Sequence, residues 1–342
     1  MPSTSSALPP PTKGWDTRES LADMPVDRAI KLVNWFPESD KITVRRGSSD
    51  HVTGMTGAVE TLITYTPTTG TGRLFAAANN ALYDVTAAGA VGSAVSTGHS
   101  NNRWQHVMMG TSGGQFVRLF NGADTPLLYN GSSWATTAIT GSGLTAANLI
   151  WGNLHQRRLW VGEEDSLSAW YLGVNSVSGA ATEFPLAGIA SKGGYIQAMG
   201  TWTRDSGAGQ DDVAVFLTSE GEAIVYSGTD PAAAATWQLV GVFAIGKPIG
   251  RRCIVKAGSD IILMTQDGFV PLSGILSMDR SQSRLVALSD QIAQAVNTAV
   301  RSYGDIYGWQ PILYPKSTML IFNIMQSTTT SHQYVFNTIS GA

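Results

Sequence analysis

The sequence predicts an all-β fold, a β-propeller of about six four-stranded blades with one inserted helix and an extended N-terminal arm. Three observations predict it: a composition poor in charge, a hairpin pattern that recurs along the chain, and a strand candidate before each hairpin. Of the 342 residues, 43% are hydrophobic and only 14% are charged, whereas charged residues make up about 25% of an average globular domain. Gly, Ser, Thr and Asn fill the difference, and such a composition favours short strands joined by many turns.

The recurring pattern is an apolar strand, a turn rich in Asn, Gly, Asp or Glu, and a second strand that usually ends near an aromatic residue. Its six copies are LFAAANNALYDV (74–85), FVRLFNGADTPLLYNG (116–131), RLWVGEEDSLSAWYLG (158–173), VAVFLTSEGEAIVYSG (213–228), IILMTQDGFVPLSG (261–274), and MLIFN with HQYVFN (319–337). The first turn residues follow one another at intervals of 42 to 57 residues, and they are Asn79, Asn121, Glu163, Ser219, Gln266 and Asn323. A period of about 40–50 residues is typical of four-stranded propeller blades.

The remaining strands of each blade are predicted around these hairpins. The candidates that precede a hairpin are ETLITYT (60–66), QHVMMGT (105–111), LIWGNLH (149–155), YIQAMGTW (195–202), RRCIVKAG (251–258) and WQPILYP (309–315). WATTAIT (134–140) and TWQLVGVFA (236–244) supply a fourth strand. The alternatives are a β-sandwich, a solenoid of hairpins or a two-domain β protein, although a sandwich would show evenly spaced turns without the longer period.

The segments outside the repeat define the domain organisation. Residues 1–14 hold four prolines among Ser and Thr, which predicts a flexible leader. An N-terminal arm is expected over residues 15–54, and the propeller over residues 55–342.

One helix is predicted within the propeller, as an insertion at about 287–304. In ALSDQIAQAVNTAVRSYGD the apolar residues Ile292, Val296 and Val300 recur at i, i+4 and i+8, which indicates a helix over 289–302. Ser289 is placed to cap its N-terminus. We expect the apolar stripe to pack against the flank of a blade, and the alternative is a contact between subunits.

The charge, the cysteine count and the hydropathy exclude several classes of protein. The formal net charge of −3 and the pI of about 5.9 argue against a surface that binds nucleic acid or anionic lipid tightly. The single cysteine, Cys253, rules out an internal disulfide and a cysteine-based zinc cluster, and we expect it to act as a small hydrophobe in a strand. No apolar stretch approaches the roughly 18 residues of a membrane span, and the N-terminus lacks the apolar core of a signal peptide. Synthesis in a cytoplasm without membrane insertion is expected.

The sequence offers no catalytic constellation, so we expect neither an enzyme nor a cofactor or metal site. The five histidines lack the HxH and HExxH spacings of metal sites. The acidic groups GEED (162–165) and QDD (210–212) lie at predicted turns, where carboxylates are normally solvated rather than tuned for acid–base work. The ten tryptophans could stack on sugars, but most of them fall in or beside predicted strands, where the core of a blade is the expected place.

The N-terminal segment is the most distinctive part of the sequence. DRAIKLVNWFPESDKITVRRG (27–47), followed by AVETLITYTP (58–67) and LFAAANNALYDVTAAG (74–89), resembles the tail hub or nozzle proteins of short-tailed bacteriophages, of the tail tubular protein B and packaged-DNA-stabilisation type. In such chains an N-x-x-P segment leads into (V/L)RR/K-G and then into the propeller. The residues of this chain that occupy those places are Asn34, Pro37, Arg45, Arg46 and Gly47.

The resemblance implies a structural protein of the virion tail, made in the host cytoplasm. It implies a homo-oligomeric ring, usually of six subunits, which prolongs the channel of the portal and the head-to-tail adaptor and bears tail fibres or spikes. Genomic DNA would pass without tight binding, as expected of a neutral to acidic surface. The alternative function is a propeller binding module for a glycan or a protein partner. Since the chain ends at YVFNTISGA (334–342), where such proteins continue with another strand, we expect either a fragment or a last blade completed by N-terminal strands.

The arm is also the predicted assembly interface. Aromatic and arginine side chains are enriched at the centres of protein interfaces because they bury large areas and make fork-like hydrogen bonds. The residues predicted to form this interface are Trp15, Arg18, Trp35, Phe36, Arg45 and Arg46. The alternative is that Trp35 and Phe36 cover the first blade of their own propeller.

Overall fold

The computed structural model describes residues 9–38, 40–205, 210–276 and 286–342. The fold is all-β, with 45% strand and 8% helix, and six small sheets form the blades of a six-bladed β-propeller, which confirms the predicted fold class. The chain divides into two compact units. We call Ser49–Arg251 the four-blade unit, and the two segments Met1–Ser48 and Arg252–Ala342 together the arm unit.

The arm itself contributes one small hairpin and little other regular structure. Its strands are β1 (Trp35–Pro37) and β2 (Ile42–Val44), which pair antiparallel. Asn34 adopts a left-handed conformation with φ of 60° just before β1, and its backbone oxygen accepts a hydrogen bond from the N–H of Arg45 at 2.7 Å.

The four-blade unit contains the first four blades in chain order. Its strands are β3 (Val52–Thr53), β4 (Thr61–Tyr65), β5 (Arg73–Ala78), β6 (Ala81–Asp84), β7 (Gly89–Ala90), β8 (Ala94–Thr97), β9 (Gln105–Thr111), β10 (Gly114–Phe120), β11 (Leu127–Tyr129), β12 (Trp134–Thr136), β13 (Ile139–Thr140), β14 (Leu149–His155), β15 (Arg158–Glu163), β16 (Ser168–Leu172), β17 (Gly179–Pro185), β18 (Ile196–Asp205), β19 (Gln210–Thr218), β20 (Glu222–Gly228) and β21 (Trp237–Ala244). A 3-10 turn at Ala146–Asn148 precedes β14.

Each of these blades is an antiparallel meander in which strands that follow one another in the chain lie side by side. Blade 1 is β4-β5-β6-β8, blade 2 is β9 to β12, blade 3 is β14 to β17, and blade 4 is β18 to β21. Two pairs are parallel: β3 with β7, and β13 with β17. The first strand of blade 3, β14, contacts the first strands of blades 2 and 4, so the first strands lie next to one another.

The arm unit contains blades 5 and 6 and the helices. Blade 5 is β22 (Ile254–Ala257), β23 (Asp260–Thr265) and β24 (Gly268–Pro271), and blade 6 is β25 (Gln310–Tyr314), β26 (Met319–Met325) and β27 (Ser331–Asn337). The helices are α1 (Leu272–Ile275) and α2 (Ala293–Tyr303), with 3-10 turns at Asp290–Ile292 and Pro315–Ser317. The expectation of four strands per blade therefore holds for blades 1 to 4, while the described residues form three strands in blade 5 and three in blade 6. No helix among the described residues is long and apolar enough to cross a membrane.

The aromatic residue that recurs near the end of the second hairpin strand joins neighbouring blades. Tyr129 of blade 2 lies with its ring centroid 5.0 Å from those of Tyr65 and Phe75 of blade 1. In the same way, Tyr226 of blade 4 lies 5.1 Å from Phe184 of blade 3. Edge-to-face contacts of this kind add to the stability that burial alone provides. The sequence repeat therefore reflects the packing of one blade on the next.

The predicted helix is present, with one correction at its start. α2 packs against β24 and β26. Of the predicted stripe, Ile292 and Val296 are buried, as expected on the flank of a blade, while Val300 is only half-buried. The predicted cap by Ser289 is wrong. Its hydroxyl oxygen accepts a hydrogen bond from the backbone N–H of Phe269 at 3.1 Å, so it ties blade 5 to the helix instead of capping it.

Gly162 is a position where any side chain would disturb blade 3. A Cβ atom at this position would lie 2.2 Å from the ring of Trp151, which is fixed because its Nε1 donates to the carbonyl oxygen of Ile196 at 2.9 Å. Gly162→Ala should therefore lower the free energy of unfolding by about 1–3 kcal/mol through overpacking. Gly188→Ala is the matched control, since nothing lies within 4 Å of the added carbon. Equal urea midpoints for the two variants would contradict this packing.

Candidate interaction surface

The arm folds back on itself around Trp15. A parallel bridge joins Trp15 to Ala29, and the indole Nε1 donates to the carbonyl oxygen of Ile30 at 2.9 Å. The N–H of Asp16 donates to the carbonyl oxygen of Ala29, and the N–H of Ala29 donates to that of Gly14, both at 2.9 Å. These bonds define the backbone conformation of the arm around residues 14–16 and 29–30.

Asp16 holds the folded arm together through an ion pair and hydrogen bonds. Its side chain is fully buried and forms an ion pair with Arg28. Its Oδ1 accepts hydrogen bonds from the backbone N–H groups of Arg18 and Glu19 at 2.8 and 3.1 Å. Burial alone would raise the pKa of the carboxyl group, but the hydrogen bonds from Arg28 and the backbone outweigh it and hold the pKa below its usual range.

The segment before α2 clamps the arm to the rest of its unit. Gln291 Nε2 donates to the carbonyl oxygens of Lys13 and Trp15 at 2.8 and 2.7 Å, and the Gln291 carbonyl accepts from the N–H of Thr17 at 3.0 Å. Arg18 adds an ion pair with Asp290. These bonds fix the arm through its backbone, and many of its apolar side chains stay exposed to solvent instead of packing in a core.

Blade 6 supplies the other contacts of the arm. The Trp15 ring meets the Tyr334 ring edge-on at 5.4 Å. The buried Asn337 donates from Nδ2 to the carbonyl oxygen of Pro37 in β1 at 3.2 Å. β1 thus lies beside β27, whereas the alternative drawn from the sequence placed Trp35 and Phe36 on the first blade. β1 pairs with β2 and leaves β27 as an edge strand, so the N-terminal strands do not complete the sheet of blade 6.

A cleft of about 810 Å³ lies between the arm and blade 6. Its apolar lining includes Trp15, Ile30, Val33, Trp35 and Tyr334. Ile30 is 55% exposed, Val33 60% and Trp35 43%, so these side chains remain open to solvent around the opening. A soluble monomer rarely exposes a large contiguous apolar patch unless that patch binds something, and we therefore take this cleft as the candidate interaction surface.

The charged side chains that line the cleft are basic. Its lining includes the basic side chains of Lys31 and Arg45, together with His332. Among the described residues, no Asp or Glu side chain lines it. Arg45 is held in place by a hydrogen bond from its Nε to Asn34 Oδ1 at 3.1 Å. The cleft therefore combines aromatic walls with a basic rim.

The structure brings four of the six predicted interface residues together. Trp15, Trp35, Phe36 and Arg45 all line the cleft. Arg18 lies apart and is bound to Glu19 and Asp290, and Arg46 is exposed outside the cleft. The role of all six residues in assembly stays a prediction.

Two residues that matter here were missed in the sequence. Gln291 was assigned to the helix, and its bonds to the arm bridge 276 and 278 residues of chain, a separation that no local pattern reveals. Tyr334 carried a signal, since SHQYVFN repeats the aromatic strand ending of the other blades.

The carboxylates of the GEED turn are engaged in structural bonds. Glu163 accepts hydrogen bonds from the N–H of Thr145 at 2.8 Å and from Trp170 Nε1 at 3.2 Å. Glu164 forms an ion pair with Arg251. In the QDD group, Asp212 accepts from the Thr203 hydroxyl at 2.7 Å. No group of three or more potential metal ligands occurs among the described residues.

Cys253 and His155 are buried. Cys253 lies just before β22 rather than in a strand as predicted. It is fully buried, and burial raises the pKa of its thiol to about 12, as expected of a small hydrophobe. Burial lowers the pKa of His155 to about 4, against a smaller opposing effect of Asp212.

Protonation of His155 should make the protein less stable at mildly acidic pH. The unfolded imidazole has a pKa near 6.5, so between about pH 6.5 and 4 the unfolded state binds the additional proton. Stability should therefore fall as the pH drops through this window, by about 2 kcal/mol between pH 8 and pH 5. Urea unfolding at several pH values should show that His155→Gln abolishes most of this loss. The exposed His106, changed to Gln, should retain it, and equal pH profiles for the two variants would refute the assignment.

Comparison with known proteins gives a limited result. No family model and no curated protein matches the chain. One similar solved structure is that of BBS1N in complex with ARL6DN, soaked with lead, with 11% sequence identity, a TM-score of 0.36, and coverage of 66% of this chain and 64% of that chain. Another is the dihydro-heme d1 dehydrogenase NirN in complex with DHE, with 11% identity, a TM-score of 0.41, and coverage of 79% and 62%. This chain spans less than two thirds of the length of either structure.

Proposed function

We propose that this protein is a structural subunit of the tail of a short-tailed bacteriophage, a hub or nozzle protein. The observation that carries the proposal is the docked arm. Residues 30–37 and Arg45, which belong to the segment that bears the resemblance to that family, line an open apolar cleft. Exposed aromatic and arginine side chains on an ordered segment are suited to bind another protein.

In this proposal the subunits form a ring of six around the channel for genomic DNA. Interfaces in such a ring are head to tail and close by rotation, so each subunit contacts its two neighbours through two different surfaces. The cleft provides one such surface. The other partners would be the head-to-tail adaptor and tail fibres or spikes, all in the tail of the virion.

The charge of the chain supports a channel protein that does not retain DNA. With a formal net charge of −3, the surface would release few counterions on contact with a phosphate backbone. We propose a role without catalysis, since the acidic turn residues Glu163 and Glu164 are engaged in structural bonds with Trp170 and Arg251.

Removal of the arm tests this function. Deleting residues 1–36 removes Trp15, Asp16 and Trp35, and with them one wall of the cleft, while all six blades remain. We expect native-like circular dichroism but no ring, measured as particle mass in solution with and without the adjoining tail proteins. Deleting only residues 1–8 is the control, because it leaves the described arm intact and should preserve the ring. Normal rings from the longer deletion would rule out the arm as an assembly element.

A propeller binding module for a glycan is the second candidate, and the aromatic walls of the same cleft favour it. Trp15, Trp35 and Tyr334 could stack on the apolar faces of sugar rings. Such a protein would bind oligosaccharides as a monomer or a small oligomer, so glycan binding without any ring would favour this function over the first.

A further inference from the structure

The last strand of a blade is an edge whose free backbone groups can pair with another chain unless something prevents it. Blades 1 to 5 protect these edges in several ways. β8 and β21 each contain a register shift next to their partner strand, which marks a bulge. β12 has only three residues, β13 pairs with the first two residues of β17, and the four-residue β24 runs directly into α1.

β27, the last strand of blade 6, has none of these protections. It is seven residues long and pairs with β26 in one unbroken register, from Met325 opposite Ser331 to Met319 opposite Asn337. Its sequence, SHQYVFN, contains no Pro, Lys, Asp or Glu. β27 is therefore a long and regular edge strand that the described residues leave unprotected.

The free edge of β27 faces the cleft. Six consecutive residues, 331–336, line it. Because side chains alternate between the two faces of a strand, a cavity that touches six in a row runs along the edge of the strand. The first three, Ser331 to Gln333, are exposed, and β1 approaches the other end, where Asn337 donates to the carbonyl oxygen of Pro37.

We propose that the cleft receives an extended segment of a different tail protein, which pairs with β27 as the fourth strand of blade 6. This inference rests on the proposed function and names the form of the partner. The edge extends over about 20 Å, at roughly 3.3 Å per residue, which is room for a strand of five or six residues. Backbone hydrogen bonds along the edge provide affinity, and the cleft selects the side chains, as in other cases of strand addition.

The basic side chains of the cleft determine which residues the bound segment of the partner carries. Lys31 and Arg45 line the cleft, so the bound segment carries carboxylates beside the apolar side chains that pack on Trp15 and Trp35. The longest last strand among the described blades of a second copy, β21, is a poor donor by this criterion, because its sequence WQLVGVFA has no charged residue and a bulge interrupts it.

Synthetic peptides test the proposal on the full chain. The probe is a fluorescent peptide of sequence EVTVEVE, and binding is measured by fluorescence anisotropy. One control peptide has the same sequence with alternate backbone nitrogens methylated, which removes hydrogen-bond donors. A second control, KVTVKVK, reverses the charge. Each control should bind at least tenfold more weakly than the probe.

Two protein variants locate the site. Arg45→Glu should weaken binding of EVTVEVE at least tenfold, whereas Arg46→Glu, which changes the neighbouring residue outside the cleft, should leave it within twofold. Hydrogen exchange should slow at residues 331–335 when the peptide binds. Equal binding of the methylated peptide, or equal losses for the two variants, would overturn strand addition.

The outcomes separate this inference from the proposed function. If the chain forms rings but no peptide binds, strand addition is wrong and the hub proposal stands. If EVTVEVE binds as described but no ring forms, strand addition is supported and the ring is refuted. If the peptide dissolves contacts between copies of this chain, the occupant is a second copy and the assignment to a different tail protein is wrong.

Discussion

Val296→Asp should lower the free energy of unfolding by about 3–5 kcal/mol, because it places an unpaired charge in a buried site. Val296 is 1% exposed on the face of α2 that contacts β24 and β26. Those strands belong to blades 5 and 6, so the loss should appear in the unfolding of the arm unit. Urea titration followed by circular dichroism measures the effect.

Thr298→Asp is the matched control for this prediction. Thr298 lies on the exposed side of the same helix, where a new charge should change stability by no more than about 0.5 kcal/mol. If Val296→Asp melts like the wild type but fails to assemble, the stripe belongs to a subunit interface and its burial within the arm unit is refuted.

Asp16→Ala should release the arm while the blades stay folded. The substitution removes the partner of Arg28 and the acceptor of two backbone hydrogen bonds. We expect the docking of the arm to weaken by about 2–4 kcal/mol. Limited proteolysis and hydrogen exchange should then show faster cleavage and exchange over residues 13–30, with little change in blades 1 to 4.

The control for Asp16 is another aspartate of the arm. Asp23 is exposed and accepts one hydrogen bond, from the Ser20 hydroxyl at 2.7 Å, so Asp23→Ala should leave the arm docked. The lowered pKa of Asp16 adds a pH dependence. Its contribution is present above the unfolded pKa of about 3.9 and is lost as the pH falls through the lower folded value. An arm that is equally protected in Asp16→Ala and wild type would contradict its role as anchor.

The blades could be predicted because their signals are local. The turn residues Asn79 and Asn80 have φ values of 48° and 57°. This left-handed conformation is typical of two-residue hairpin turns, and asparagine adopts it more readily than most residues. The hairpin at Gln156–Arg157 has the same conformation, with φ values of 48° and 56°, although its sequence lacks the usual turn residues. There the flanking strands impose the turn.

The candidate surface could be predicted only in part. The composition of the arm indicated Trp15, Trp35 and Arg45 as interface residues, because residue type alone indicates a tendency to bind. Where the arm docks depends on contacts that span almost the whole chain, such as that between Gln291 and Lys13. Such contacts leave no periodicity in a single sequence. Likewise, only the paired strands show that β27 ends blade 6 as an open edge.

Electron microscopy of the purified full chain with its adjoining tail proteins tests the proposed ring. We expect closed rings of six subunits around a central channel, in line with the axis of the tail, with the cleft between the arm and blade 6 occupied at the subunit or partner boundary. Separate monomers or small oligomers with the cleft facing solvent, and no particle that aligns with a tail, would contradict it.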